Sequence, residues 1–150
     1  MDAEIGRDRI EAAREDDARA RPFRLFVMGI NHAPHPSRFA AQIDIASTRG
    51  RNPLLIYVYG GNTLQESLDA WKGKMGLTMR YLAAEGFMVV CIDPRGTPGK
   101  GQAFRNSNYK SIGDIEMSDL INLKKYAVAN LKADSNAVSV IGWSYGGYLA

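Results

Sequence analysis

From Pro53 onward the chain alternates short, nearly unbroken apolar runs with longer stretches in which apolar residues return every three or four positions. The runs are Leu54–Tyr59, Phe87–Ile92 and Val138–Ile141, and they stop at Gly60-Gly61, Asp93-Pro94 and Gly142. Continuous runs with β-branched members suit strands covered on both faces, the habit of parallel sheets. Between the first two, Leu68, Trp71, Met75, Met79 and Leu82 recur at helical steps, with Gly86 placed as a C-terminal cap and Gly73 and Gly76 as weak points. Between the second and third, Met117, Leu120, Ile121, Ala127, Val128 and Leu131 share one helical face. Asp114, Glu116 and Asp119 stand at the start of that helix and Lys124, Lys125 and Lys132 towards its end, which suits the helix dipole.

Strand, helix, strand, helix, strand, with a further helix starting after Gly142, predicts an α/β protein. Its sheet is expected to be doubly wound and mainly parallel. Residues 25–52 read as part of the same domain, with short strands at Arg24–Ile30 and Ala40–Ser47 and a turn at Ala33-Pro34-His35-Pro36. Residues 1–24 carry both charge signs and few large apolar side chains, and read as a charged helical or disordered tail.

Composition narrows the function classes. A net charge of +3 on 150 residues, with Lys and Arg scattered, lacks the dense basic stripe that nucleic-acid binding wants. The one cysteine, Cys91, excludes an internal disulfide and sits inside an apolar run as a small hydrophobe. No stretch approaches the ~18 apolar residues of a membrane span, nor does the N-terminal stretch read as a signal peptide, so a cytoplasmic protein is expected. His32 and His35 lack a nearby Cys or carboxylate to complete a metal ligand set, and no metal or cofactor is expected.

The chemistry gathers where the strands end. In a sheet of this kind, sites form beyond the carboxyl ends of the strands, where Tyr59-Gly60-Gly61, Asp93-Pro94-Arg95-Gly96 and Gly142-Trp143-Ser144-Tyr145-Gly146 all fall. The last is Gly-x-Ser-x-Gly between a strand and a helix, the pattern of a nucleophile elbow. Gly142, and Gly146 with Gly147, relieve crowding around a sharp turn. Ser144 is then held out as a nucleophile, and the Tyr145 backbone N–H is aimed as an oxyanion donor. The glycine-rich Gly96–Gly101 segment has Gly101 where a phosphate loop needs Ser or Thr after Lys100, and it opens no predicted helix; Thr97–Ser111 reads as a connecting loop.

In this order Tyr57-Val58-Tyr59-Gly60-Gly61, Asp93-Pro94-Arg95-Gly96, Ile112-Gly113 ahead of Glu116 and Asp119, and Gly142-Trp143-Ser144-Tyr145-Gly146-Gly147-Tyr148 resemble the catalytic domain of the prolyl oligopeptidase family, closest to its dipeptidyl peptidase IV branch. The resemblance runs from about Pro53 to Ala150. It implies an α/β-hydrolase fold, a peptide substrate, and a serine peptidase cleaving short peptides after proline or alanine through an acyl-enzyme at Ser144. It also implies that the Tyr59 hydroxyl completes the oxyanion hole beside the Tyr145 amide. Arg95 with Glu116 or Asp119 could brace the loop above the site or form an ordinary surface ion pair.

Two departures stand out. Asn62 replaces the proline usual in the family, and only six residues follow Ser144, none acidic or histidine. The triad order of this fold is Ser, then Asp or Glu, then His. The chain is therefore expected to be the N-terminal half of a truncated catalytic domain, without the family's propeller and inactive alone. An unpaired sheet edge would then favour self-association. The alternatives are another α/β-hydrolase, an esterase or acylaminoacyl peptidase, and a catalytically inactive remnant.

Overall fold

The computed structural model describes residues 23–28, 40–45, 50–68 and 70–150. Five strands, β1 (Phe23–Met28), β2 (Ala40–Ile45), β3 (Asn52–Val58), β4 (Met88–Asp93) and β5 (Ala133–Gly142), form one sheet in the order β1-β2-β4-β3-β5. Helices α1 (Gly73–Ala84), α2 (Gln102–Arg105), α3 (Asp114–Asn130) and α4 (Tyr145–Leu149) connect or follow them. β3 pairs in parallel with both β4 and β5, whereas β2 runs antiparallel to both β1 and β4. The sheet is thus parallel through its apolar centre and antiparallel at one margin. β1 starts at Phe23, ahead of the expected boundary at residue 24/25; residues 1–22, with His32 and His35, lie outside the described residues.

Alternation along β3 explains the two-sided burial. Leu54, Ile56 and Val58 join Met88, Val90 and Ile92 on the face covered by α3, while Leu55, Tyr57, Val89 and Cys91 turn to the face covered by α1. Successive strand side chains point to opposite faces, so an unbroken apolar run fills both layers. The chain moves from β3 to β4, then back past β3 to β5. Crossovers of one hand in opposite directions put their helices on opposite faces, as observed.

The helices differ from expectation in phase. α1 starts at Gly73, whose φ of 55° ends the helical path on its N-terminal side, so Leu68 and Trp71 lie outside it and are exposed. Its end matches a glycine-capped terminus: Phe87 N–H donates to Leu82 O and Gly86 N–H to Ala83 O, both at 3.1 Å, with Gly86 at φ 98°. On α3 the buried line is Leu120, Leu123, Ala127 and then Leu131, whereas Met117 and Ile121 are exposed. Leu123 replaces them because the stripe that meets the sheet starts at buried Glu116. A fully buried leucine contributes about 1.5–3 kcal/mol, so α3 docks more firmly than α1, which buries Met79 and Ala83.

β5 starts earlier than its apolar run, at Ala133. The register jumps from Asn52↔Ala133 to Leu54↔Val138, so regular pairing runs only from Val138 onward. β5 and β1 are the outer strands of the described sheet. On β5, Ile141 is exposed. No helix among the described residues is long and apolar enough to cross a membrane.

Candidate active site

The ends of β3, β4 and β5 bring the three expected clusters to one edge. Because Val58 lies opposite Gly142 in parallel register, Tyr59, the next residue along, stands beside the turn that carries Ser144. Tyr59 is half-buried and Ser144 exposed.

Ser144 has φ 57° and ψ −120°, a combination that costs a non-glycine residue of order 1–3 kcal/mol. Three backbone bonds hold the turn. Gly146 N–H donates to Trp143 O and Gly147 N–H to Ser144 O, both at 2.9 Å, and Tyr148 N–H donates to Ser144 O at 3.3 Å. A side chain at Gly142 would run into the Gly146 carbonyl and lie 2.8 Å from its Cα. At Gly146 it would strike the Val58 carbonyl and lie 2.9 Å from the Tyr59 Cα. Those two glycines let the turn close on itself and on β3. Gly147 differs from the expectation that it relieves crowding: a Cβ there meets only Gly142 O at 3.6 Å, an ordinary contact. Trp143 is exposed.

Tyr145 opens α4, so its N–H has no intrahelical acceptor. Its ring lies on the glycine pair after β3, where a Cβ on either Gly60 or Gly61 would come within 3.3 Å of it. Its hydroxyl donates to Glu116 Oε1 at 2.8 Å. Burial first, then that bond and the carboxylate charge, push the Tyr145 hydroxyl pKa well up.

Sequence reasoning paired Arg95 with either acidic residue of α3; the structure pairs it with Asp119. The Arg95 Nη2 donates to Asp119 Oδ1 at 2.7 Å, Nε to the same oxygen at 3.0 Å, and the Arg95 backbone N–H to Oδ2 at 2.8 Å. With the Asp119 side chain 0% exposed, this is no surface ion pair. Glu116, equally buried, accepts from Gly113 N–H at 3.0 Å and from Asn108 Nδ2 at 2.7 Å besides Tyr145. Gly113 has no side chain, so the Glu116 bond is the only half of a capping box present. Asn108 carried no recognisable sequence signal.

A second polar group lies beyond β4. Asp93 accepts from Glu66 N–H at 2.7 Å and from Lys100 Nζ at 3.1 Å, and Lys72 Nζ lies 3.5 Å from Cys91 Sγ. Burial raises the Cys91 thiol to about 12 against the opposing pull of Lys72, so it stays a neutral thiol. Burial also lifts the Glu66 carboxyl, again opposed by Lys72. Contrary to expectation, Gly101 does open a helix, the one-turn α2. Lys100 is nevertheless committed to Asp93 rather than set to hold a phosphate.

The comparisons agree with this geometry. Residues 74–150 match the model of the prolyl oligopeptidase family. Mouse dipeptidyl peptidase 8 is 33% identical over 99 residues, 65% of this chain and 11% of that protein. A probable dipeptidyl peptidase 4 of Aspergillus clavatus is 34% identical over 106 residues, 69% of this chain and 14% of that protein. The chain thus spans between a tenth and a seventh of the length of these relatives. The crystal structure of Porphyromonas gingivalis dipeptidyl peptidase 4 superposes with a TM-score of 0.73 at 28% identity, over 95% of this chain and 19% of that one. A putative dipeptidyl aminopeptidase IV from Bacteroides ovatus shares the fold, with a TM-score of 0.76 at 24% identity over 89% of this chain and 19% of that one. An α/β-hydrolase sheet, a strained serine turn after β5 and these matches together make the chain a member of the prolyl oligopeptidase family, in its dipeptidyl peptidase IV-like branch.

Proposed function

We propose that this chain is the nucleophile-bearing part of a dipeptidyl peptidase-like serine peptidase that cleaves short peptides after proline or alanine. The observation that carries the reading is the backbone of Ser144, a non-glycine residue at φ 57° between two glycines that no side chain can replace without a clash. Strain of this kind persists only where the surroundings enforce it, and Ser144 is exposed just beyond the end of β5. Ser144 Oγ would attack the scissile carbonyl. The Tyr145 N–H and the Tyr59 hydroxyl would receive the charge that develops on the carbonyl oxygen.

A serine hydroxyl needs a base to become a nucleophile at neutral pH, and residues 50–150 hold no histidine. We therefore expect the base and its carboxylate to come from a longer protein of which this chain forms a part. A fluorophosphonate probe tests both halves of the proposal. It should label Ser144 in the full-length protein, located by peptide mass spectrometry and abolished in Ser144→Ala, and should leave the 150-residue chain essentially unlabelled. Labelling of another serine in the full-length protein would overturn the assignment. Labelling of the isolated chain at an enzymatic rate would overturn the need for an outside base.

A further inference from the structure

Burying a carboxylate is costly unless it is fully hydrogen-bonded, and Glu116, at 0% exposure, is bonded by more than its helix requires. Capping α3 occupies Oε2, which accepts the Gly113 N–H. The other oxygen, Oε1, accepts from both Asn108 Nδ2 and the Tyr145 hydroxyl. Each donor comes from a different strand end. Asn108 packs on the turn after β4, where any side chain at Gly96 would collide with its amide. Tyr145 belongs to the turn after β5, and its ring rests on Gly60 and Gly61 after β3. One carboxylate therefore ties the connections following all three parallel strands together.

The consequence lies in Tyr145 itself. Its ring is held at two places, by the glycine surface along one flank and by Glu116 at the hydroxyl. Only two rotatable side-chain bonds separate that ring from the Cα, so holding the ring restricts the orientation of the peptide between Ser144 and Tyr145. We infer that Glu116 is a positioning residue, acting through the Tyr145 hydroxyl to hold the Tyr145 backbone N–H where the oxyanion forms. This rests on the reading of Ser144 as the nucleophile. It predicts an effect on the transition state, because the N–H is needed most when charge reaches the carbonyl oxygen. Were the Tyr145 hydroxyl there only to shape a wall for substrate, its loss would change KM instead.

The experiment uses the full-length protein and the variants Tyr145→Phe, Glu116→Gln, their double and Ser144→Ala. It measures kcat and KM on a dipeptide anilide with proline second, and the fluorophosphonate labelling rate. Tyr145→Phe keeps the ring and should lower kcat and labelling by roughly 10- to 100-fold with KM within about threefold, the size expected when an oxyanion donor is misplaced rather than deleted. Glu116→Gln should do the same, and the double variant should be no worse than the poorer single by more than about twofold, since both act through one bond. If Glu116→Gln does not fold, the Tyr145→Phe result decides alone. Wild-type kcat in Tyr145→Phe, a KM change at constant kcat, or multiplying losses in the double variant would overturn the inference. Undiminished labelling of Ser144→Ala would instead overturn the nucleophile assignment beneath it.

Discussion

Replacing Gly146 by alanine tests the closeness of the serine turn to its neighbouring strand. The added methyl would strike the Val58 carbonyl oxygen and stand 2.8 Å from the Val58 carbonyl carbon and 2.9 Å from the Tyr59 Cα. Ordinary contact begins at 3.4 Å, so even the two carbon contacts require the turn and β3 to separate by about half an ångström, and the oxygen requires more. All the obstacles are backbone atoms in a paired strand or beside it, so no side chain can swing away. Overpacking costs typically about 1–3 kcal/mol, and a rigid obstacle places this change at or above the upper end. Separation on the scale of 1 Å between Ser144 and Tyr59 is also worth about 100-fold in rate. Gly147→Ala is the control: its methyl meets only Gly142 O at 3.6 Å, and alanine favours the helix by up to about 1 kcal/mol. Urea unfolding and fluorophosphonate labelling of both variants in the full-length protein read the two effects. Equal stability and equal labelling for Gly146→Ala and Gly147→Ala would refute the close-approach argument.

Two other perturbations follow from the buried charges and thiol. Arg95→Met leaves Asp119 buried and keeps only the backbone N–H of residue 95 among the bonds that Arg95 donates to it, and should cost about 3–5 kcal/mol in urea unfolding; a loss below about 1 kcal/mol would show that the pair is not structural. Burial raises Cys91 from 9.0 to about 12 and Tyr57 from 10.0 to about 12. The folded state therefore keeps protons that the unfolded chain releases, and the stability these groups contribute is complete below about pH 9 and lost as pH rises towards 12. Unfolding midpoints that stay level from about pH 8 to about pH 11 would contradict the buried neutral forms.

Much of the fold and the serine turn was legible because it is written in short-range patterns. Apolar runs at Leu54–Tyr59 and Phe87–Ile92 mark strands buried on both faces, and β3 and β4 occupy most of each. Gly86 ends α1 because its φ of 98° suits glycine. Gly142-Trp143-Ser144-Tyr145-Gly146 marks a turn whose first glycine answers to the backbone of its last. The helical stripes were less legible: Leu123 is buried while Met117 and Ile121 are not, because the facing sheet sets which side of α3 is covered.

The partners of the charged groups belong to the tertiary structure alone. Arg95 and Asp119 are 24 residues apart, and Tyr145 and Glu116 are 29 apart. No periodicity could tell which carboxylate of α3 serves which of them. That choice follows from the fold, which brings the turn after β4 to Asp119 and the turn after β5 to Glu116. Likewise Gly146 and Gly147 are equivalent as letters, and only the Val58 carbonyl beneath one of them makes it indispensable. Sequence alone determined that a serine turn ends an apolar strand. The packing of α3 against the strand ends decided which residues, 24 to 29 positions distant, pair with its two carboxylates, because a buried carboxylate must find its donors in space rather than along the sequence.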